Sequence, residues 1–119
     1  DWIATDPDVV DEYVADPLCG QTFTVGAYGV LASLVADATD ARLARRVPRD
    51  LPLLFIAGAE DPVGECGRGV SRAVDEYRNA GLRLVEKTIY PGARHEILNE
   101  PIRETVWADV EAFLARQGV

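Results

Sequence analysis

An aspartate and a histidine are the residues of this sequence best placed for acid–base chemistry. Asp61 lies in GAEDPVG, and the only histidine, His95, lies in YPGARHE, 34 positions later. Each follows a run that is typical of a β-strand, and functional groups collect beyond the carboxyl ends of parallel strands. A carboxylate there can accept the Nδ1 proton of an imidazole while Nε2 takes a proton from a nucleophile. The sequence therefore predicts that Asp61 and His95 form one catalytic acid–base pair.

Each of these two residues also has a purely structural interpretation. Asp61 followed by Pro62 is typical of a turn in which the carboxylate bonds its own loop backbone, and a lone histidine in a turn is often structural. The order of the two residues favours catalysis, because an acid and then a base at late strand ends is the order of the α/β-hydrolase triad.

The elements that must position this pair alternate between strand and helix. The apolar run 53–57, which ends at Gly58, predicts a strand buried on both faces. The pattern then predicts a helix at about 66–80, a strand at 82–90 and a helix at about 100–116, with Asn99 or Glu100 at its start and Pro101 in its first turn. Such alternation implies parallel strands joined by a right-handed crossover. The predicted fold class is α/β, and two parallel strands are the edge of a larger sheet, incomplete on their own.

The region before this α/β unit is predicted to be helical. Asp6 can cap a helix that begins at Pro7, and a second helical pattern covers about 24–45. The apolar residues of the second pattern have two open interpretations: they line a binding pocket, or they form a stripe that packs in a core. They are Phe23, Tyr28, Leu31 and Leu34.

Composition narrows the function classes. Twenty acidic residues against twelve basic ones give a net charge of -8, which opposes binding to nucleic acid. No apolar run is long enough to predict a transmembrane segment. Cys19 and Cys66 lie 47 positions apart without metal-ligand spacing, so we expect free thiols in a reducing compartment, the cytoplasm, and no metal site. The sequence starts at an aspartate and contains no methionine, from which we expect further residues upstream.

Three segments together resemble a known family. LPLLFIAGAEDPVGECGRGV, YPGARHEILNE and DPDVVDEYVADPLCG are similar to α/β-hydrolase enzymes of the serine aminopeptidase-like, lysophospholipase and monoacylglycerol lipase group. The resemblance implies that the chain is the C-terminal part of that fold, with a helical lid at 1–47 and part of the core at 48–119. It also implies that Asp61 is the triad acid, that His95 is the triad base, and that Val63 lines the substrate pocket. No cofactor is implied.

The departure from this family concerns the nucleophile. No GxSxG motif occurs, and both serines, Ser33 and Ser71, fall in predicted helices. The resemblance therefore implies that the serine nucleophile and the oxyanion hole come from an N-terminal half outside this chain, which alone would be inactive. Cys66 is a poor substitute, because it would place acid and nucleophile on one loop. Arg94 and Glu96, which flank the base, are expected to hold its loop.

The resemblance therefore implies the acid-and-base half of a serine carboxylic-ester hydrolase, acting on a lysophospholipid, a monoacylglycerol or a related acyl ester. Two alternatives stay open. One is another chemistry of the same fold, such as a peptidase, an acyltransferase or a hydrolase with an aspartate nucleophile. The other is a non-catalytic α/β binding domain. The residues that precede Asp1 would distinguish them.

Overall fold

The computed structural model describes residues 1–118 as five helices and two strands. In chain order they are α1 (Pro7–Ala15), α2 (Val25–Ala38), α3 (Ala41–Ala44), β1 (Leu53–Gly58), α4 (Arg68–Asn79), β2 (Val85–Tyr90) and α5 (Arg103–Gln117). The strands pair in parallel, with Leu53 opposite Val85 and Gly58 opposite Tyr90. Because this register is even, both strands end at the same level, and the loops that follow them leave the sheet side by side.

Successive residues of β1 face two separate cores, as the alternation of a strand requires. Phe55 packs against a cluster formed by Val74, Leu82 and Val85, on the side of α4. Ile56 packs against a second cluster on the side of α5, whose buried members are Tyr90, Ala93, Ile97 and Val106. The sheet is therefore covered on both faces, as the continuous apolar sequence of β1 predicts.

The elements around α4 are shorter than the sequence pattern predicts. The helix begins at Arg68 rather than at 66, because Glu65, Cys66 and Gly67 have left-handed φ values of 51°, 53° and 81°. Strand β2 begins at Val85 rather than at 82. Leu82 still donates its N–H to Tyr77 of the preceding helix, at 3.2 Å, so its backbone is not available for strand pairing.

The single helix predicted at about 24–45 is in fact two helices. The Thr39 hydroxyl donates to the carbonyl of Val35 at 2.9 Å. Asp40 is extended, and its carboxylate accepts the N–H of Arg42 at 2.7 Å as the cap of α3. A side chain that competes for helix backbone groups ends one helix, and the next starts at the aspartate.

The start of the last helix was predicted wrongly. Neither Asn99 nor Glu100 caps it, because α5 begins at Arg103 after Ile102, with no side-chain cap. Residues 97–102 form turns with a bend at Glu100 instead. The Glu100 carboxylate is buried and contacts the other end of the chain.

Helix α2 is apolar yet has no buried residue. Its large side chains Tyr28, Leu31 and Leu34 are exposed, as is Phe23 just before it. Within the described residues they therefore form no core. No described helix is both long enough and apolar enough to cross a membrane.

Candidate active site

The two loops at the carboxyl ends of β1 and β2 bring Asp61 and His95 into direct contact. Asp61 Oδ2 lies 3.0 Å from His95 Nδ1. The Asp61 residue is only 6% exposed, whereas the His95 side chain is 41% exposed. An ionised carboxylate can only accept, so the contact places the imidazole proton on Nδ1 and leaves Nε2 as the acceptor nitrogen. Among residues 1–118, Nε2 has no hydrogen-bonding partner.

The Asp61 carboxylate is also held by its own loop. Its Oδ1 accepts the N–H of Val63 at 2.9 Å, and its backbone carbonyl accepts the N–H of Cys66 at 2.8 Å. The turn geometry and the contact with the imidazole are therefore compatible, since each uses a different oxygen of the same carboxylate. The Val63 side chain itself is exposed.

The His95 loop lies directly against the end of β1. A Cβ atom at Gly58 would lie 2.2 Å from the carbonyl oxygens of both Ala93 and Arg94. Glu60 N–H donates to the same Ala93 carbonyl at 2.9 Å. Only a residue without a side chain permits this approach, so Gly58 fixes the separation of the two loops.

A segment at the beginning of the chain, which we call the N-terminal strap (residues 2–5), lies on the other side of the His95 loop. The N–H groups of His95 and Glu96 donate to the carbonyls of Trp2 and Ile3 at 3.4 and 2.9 Å. The Trp2 ring lies 5.0 Å from the imidazole, centroid to centroid. No periodicity or motif in the sequence indicates this pairing, because it joins segments about ninety positions apart.

The flanking residues Arg94 and Glu96 hold the loop, as predicted. The Arg94 guanidinium donates to the Ala4 carbonyl at 3.2 Å and lies 4.0 Å from the Glu60 carboxylate. Glu96 accepts the side-chain amide of Asn99 at 2.8 Å. These contacts join the His95 loop to the strap, to the β1 loop and to the turn that follows.

Burial and hydrogen bonding shift the pKa values of two groups near this edge of the sheet. Burial and a hydrogen bond to Asp109 raise the pKa of Tyr90, the last residue of β2, to about 12. Hydrogen bonding to Arg72 lowers the pKa of Glu65 in the Asp61 loop. Tyr90 therefore stays neutral at physiological pH, and the Glu65 carboxylate stays charged.

The described residues offer no serine in a nucleophile geometry. Ser33 donates its hydroxyl to the Gly29 carbonyl within α2 at 3.0 Å. Ser71 donates to the Gly67 carbonyl at 2.9 Å. Both serines lie in helices, as predicted. Cys19 and Cys66 are free thiols, and Cys66 precedes α4 rather than opening it.

Parallel strands whose following loops join an aspartate to a histidine are the arrangement found in α/β hydrolases. The sequence model of the family described as serine aminopeptidase, S33, matches residues 1–102, and the chain belongs to that family. It is 30% identical over 122 residues to the monoacylglycerol lipase of Mycolicibacterium smegmatis (strain ATCC 700084 / mc(2)155), covering 96% of this chain and 38% of that lipase.

Solved structures show the same fold. A thermostable carboxyl esterase from Bacillus coagulans superposes with a TM-score of 0.89 at 32% identity, covering 97% of this chain and 38% of the esterase. A lipase in an open form superposes with a TM-score of 0.88 at 31% identity, covering 97% of this chain and 37% of the lipase. The monoacylglycerol lipase of Paleococcus ferrophilus shares the fold, with a TM-score of 0.72 at 24% identity. The match covers 96% of this chain and 42% of that lipase. The chain thus spans about two fifths of the length of these relatives.

Proposed function

We propose that this chain supplies the acid and the base of a serine carboxylic-ester hydrolase. The observation that carries the proposal is the 3.0 Å contact between the buried Asp61 carboxylate and the half-exposed His95 imidazole. That geometry leaves Nε2 free to accept a proton, which is the requirement for a general base.

In this mechanism His95 removes the proton of a serine hydroxyl as the serine attacks the ester carbonyl. The imidazolium that forms is stabilised by Asp61, and it then protonates the leaving alcohol as the acyl-enzyme forms. The same imidazole then deprotonates a water molecule that attacks the acyl-enzyme, and it returns that proton to the serine oxygen as the carboxylic acid leaves. No step requires a metal ion or an organic cofactor.

The serine and the oxyanion-hole donors are proposed to come from residues outside these 119. The hydroxyls of Ser33 and Ser71 support this assignment, because each donates to the carbonyl four residues earlier in the chain. So does the share of the relatives' length that the chain spans, 38% for the mycobacterial lipase. Residues 48–119 would then provide the acid and base loops, and residues 1–47 a helical lid.

The proposed substrate is an acyl ester, such as a monoacylglycerol or a lysophospholipid. Relatives described as a monoacylglycerol lipase and a carboxyl esterase support this class. The exposed apolar side chains of α2 would contact the acyl chain. Val63, exposed beside Asp61, would line the pocket near the reacting bond.

The test is His95→Ala in the polypeptide that contains both this chain and the nucleophile. We expect ester turnover to fall by roughly 10⁴-fold or more, with Asp61→Asn falling by a similar factor because the imidazole then takes the wrong tautomer. A fluorophosphonate probe should label the parent at one serine. Arg83→Ala, a change at an exposed residue just before β2 and away from the Asp61 and His95 loops, is the control and should keep full activity.

Two results would contradict the proposal. Near-normal turnover in His95→Ala would remove His95 as the base. Fluorophosphonate labelling of the isolated 119-residue chain would show that the nucleophile lies within it. Serine labelling with no ester turnover would instead indicate a peptidase or an acyltransferase that uses the same acid and base.

A further inference from the structure

Glu100 is a buried carboxylate that the proposed mechanism does not use. It is 1% exposed, and all its partners are donors. Oε1 accepts the N–H of Arg94 at 2.7 Å, both oxygens accept the N–H of Thr5 at 3.1 Å, and Oε2 accepts the Thr5 hydroxyl. Within residues 1–118 it forms no ion pair. Burying a carboxylate without a cation is costly, so its hydrogen bonds must compensate.

These hydrogen bonds join two segments that both contact His95. Arg94 is the residue immediately before the histidine, and Thr5 is the last residue of the N-terminal strap. The strap also accepts the N–H groups of His95 and Glu96, and the Arg94 guanidinium donates to the Ala4 carbonyl. The Glu100 carboxylate therefore joins the strap to the His95 loop through the backbone. Asp61, in the loop after β1, holds the imidazole ring itself.

We propose that Glu100 is a positioning residue that sets the place of the His95 imidazole. By fixing the Arg94 N–H against the strap, it determines where the His95 backbone lies relative to Asp61 and to the incoming nucleophile. It touches neither the substrate nor the transferred proton. This inference rests on the proposed function, because it assigns His95 the role of base.

Replacement of Glu100 by glutamine tests the hydrogen-bond pattern with almost no change of shape. A glutamine side chain has one acceptor oxygen, and its amide group donates. The amide would therefore face the N–H of Thr5 or of Arg94, and one side of the site would be pushed apart. A displacement of a catalytic group by about 1 Å can lower turnover by roughly 10²-fold.

The experiment measures Glu100→Gln in the polypeptide that contains the nucleophile, with a short-chain p-nitrophenyl ester as the probe. Active sites are counted with a fluorophosphonate, so that kcat refers only to folded, competent sites. We expect kcat per titrated site to fall by about 10- to 100-fold with KM within about twofold, since a misplaced base affects the chemical step more than binding. Thr5→Val, which removes only the hydroxyl bond, should give a smaller fall of the same kind, about threefold or more.

Val74→Ala is the control for stability. Val74 is buried in the cluster on the α4 side, away from the His95 loop, so its truncation should lower the melting temperature and leave kcat per titrated site unchanged. A purely structural Glu100 would behave as Val74→Ala does.

The outcomes separate the two proposals. Unchanged kcat per site in Glu100→Gln, with His95→Ala inactive, would overturn the role of Glu100 and leave the proposed function standing. High activity in His95→Ala would overturn the proposed function itself. If Glu100→Gln does not fold, Thr5→Val decides, because unchanged kcat in that variant would also overturn the positioning role.

Discussion

The His95 loop and helix α2 differ in how many contacts their side chains make with the rest of the chain. Around His95, backbone and side-chain groups meet partners from β1, from the N-terminal strap and from the turn before α5. Helix α2 is capped at its start by Thr24, yet its apolar side chains are exposed on every face.

This difference shows which of the two regions is held in place by the rest of the chain. The loops that carry Asp61 and His95 are fixed by contacts among the described residues, including a close backbone approach at Gly58 that tolerates no side chain. A helix that is apolar all round has no such support among the described residues, and helices of this kind are normally covered. The geometry of the pair is therefore fixed by contacts within this chain, whereas the described residues leave the apolar faces of α2 uncovered.

Gly58→Ala, which changes the contact between β1 and the His95 loop, should have the largest effect on the free energy of unfolding. The added Cβ would meet two backbone oxygens at 2.2 Å, so we expect a loss of at least about 3 kcal/mol in the free energy of unfolding. Denaturant unfolding measures it. Gly29→Ala is the matched control in α2, where the added Cβ meets nothing. It should raise stability by about 0.5–1 kcal/mol. Equal effects of the two changes would contradict the comparison.

Tyr90→Phe should have an intermediate effect. Tyr90 donates its hydroxyl to Asp109 on α5 at 2.9 Å, and removing that bond should cost about 1 kcal/mol. Because the folded pKa of Tyr90 is raised to about 12, above the usual value of about 10, its neutral form stabilises the folded state at neutral pH. That contribution is lost as the pH rises from about 10 to about 12. Stability curves over this window should be steeper in the parent than in the variant, and parallel curves would refute the assignment.

Leu34→Ser should have the smallest effect. The side chain lies on α2 and is exposed, so the free energy of unfolding of the 119-residue chain should change by less than about 0.5 kcal/mol. Urea unfolding of the parent and the variant, side by side, measures this. A loss as large as that expected for a core leucine would mean that α2 packs in the chain after all.

The sequence was sufficient for the parts of the fold that depend on local pattern. The apolar run of β1, the Pro7 start of α1 and the parallel order of the strands all follow from composition and periodicity. The contact between Asp61 and His95 was predictable for the same reason, since each residue follows the end of a strand. The predicted helix boundaries are wrong where single side chains compete for the helix backbone groups, as Thr39 and Asp40 do between α2 and α3.

The supporting contacts of the site could not be predicted. Glu100 stands where a helix cap is expected, and nothing in its neighbours indicates that its carboxylate turns toward Thr5. Trp2 and Thr5 lie about ninety positions from the loop that they contact. Contacts of this kind depend on the complete fold, and one sequence carries no periodic signal for them.

The N-terminal strap has a consequence for the order in which the site assembles. Asp61 and His95 close a loop of 34 residues, whereas Thr5 and Glu100 are separated by 95. The longer closure costs about 1 kcal/mol more in chain entropy. During synthesis the strap leaves the ribosome before Glu100 does, so it can dock on the His95 loop only after Glu100 has emerged. We therefore expect the strap to dock after the two strands have paired, and the histidine to take its final position with that docking rather than when its sheet forms.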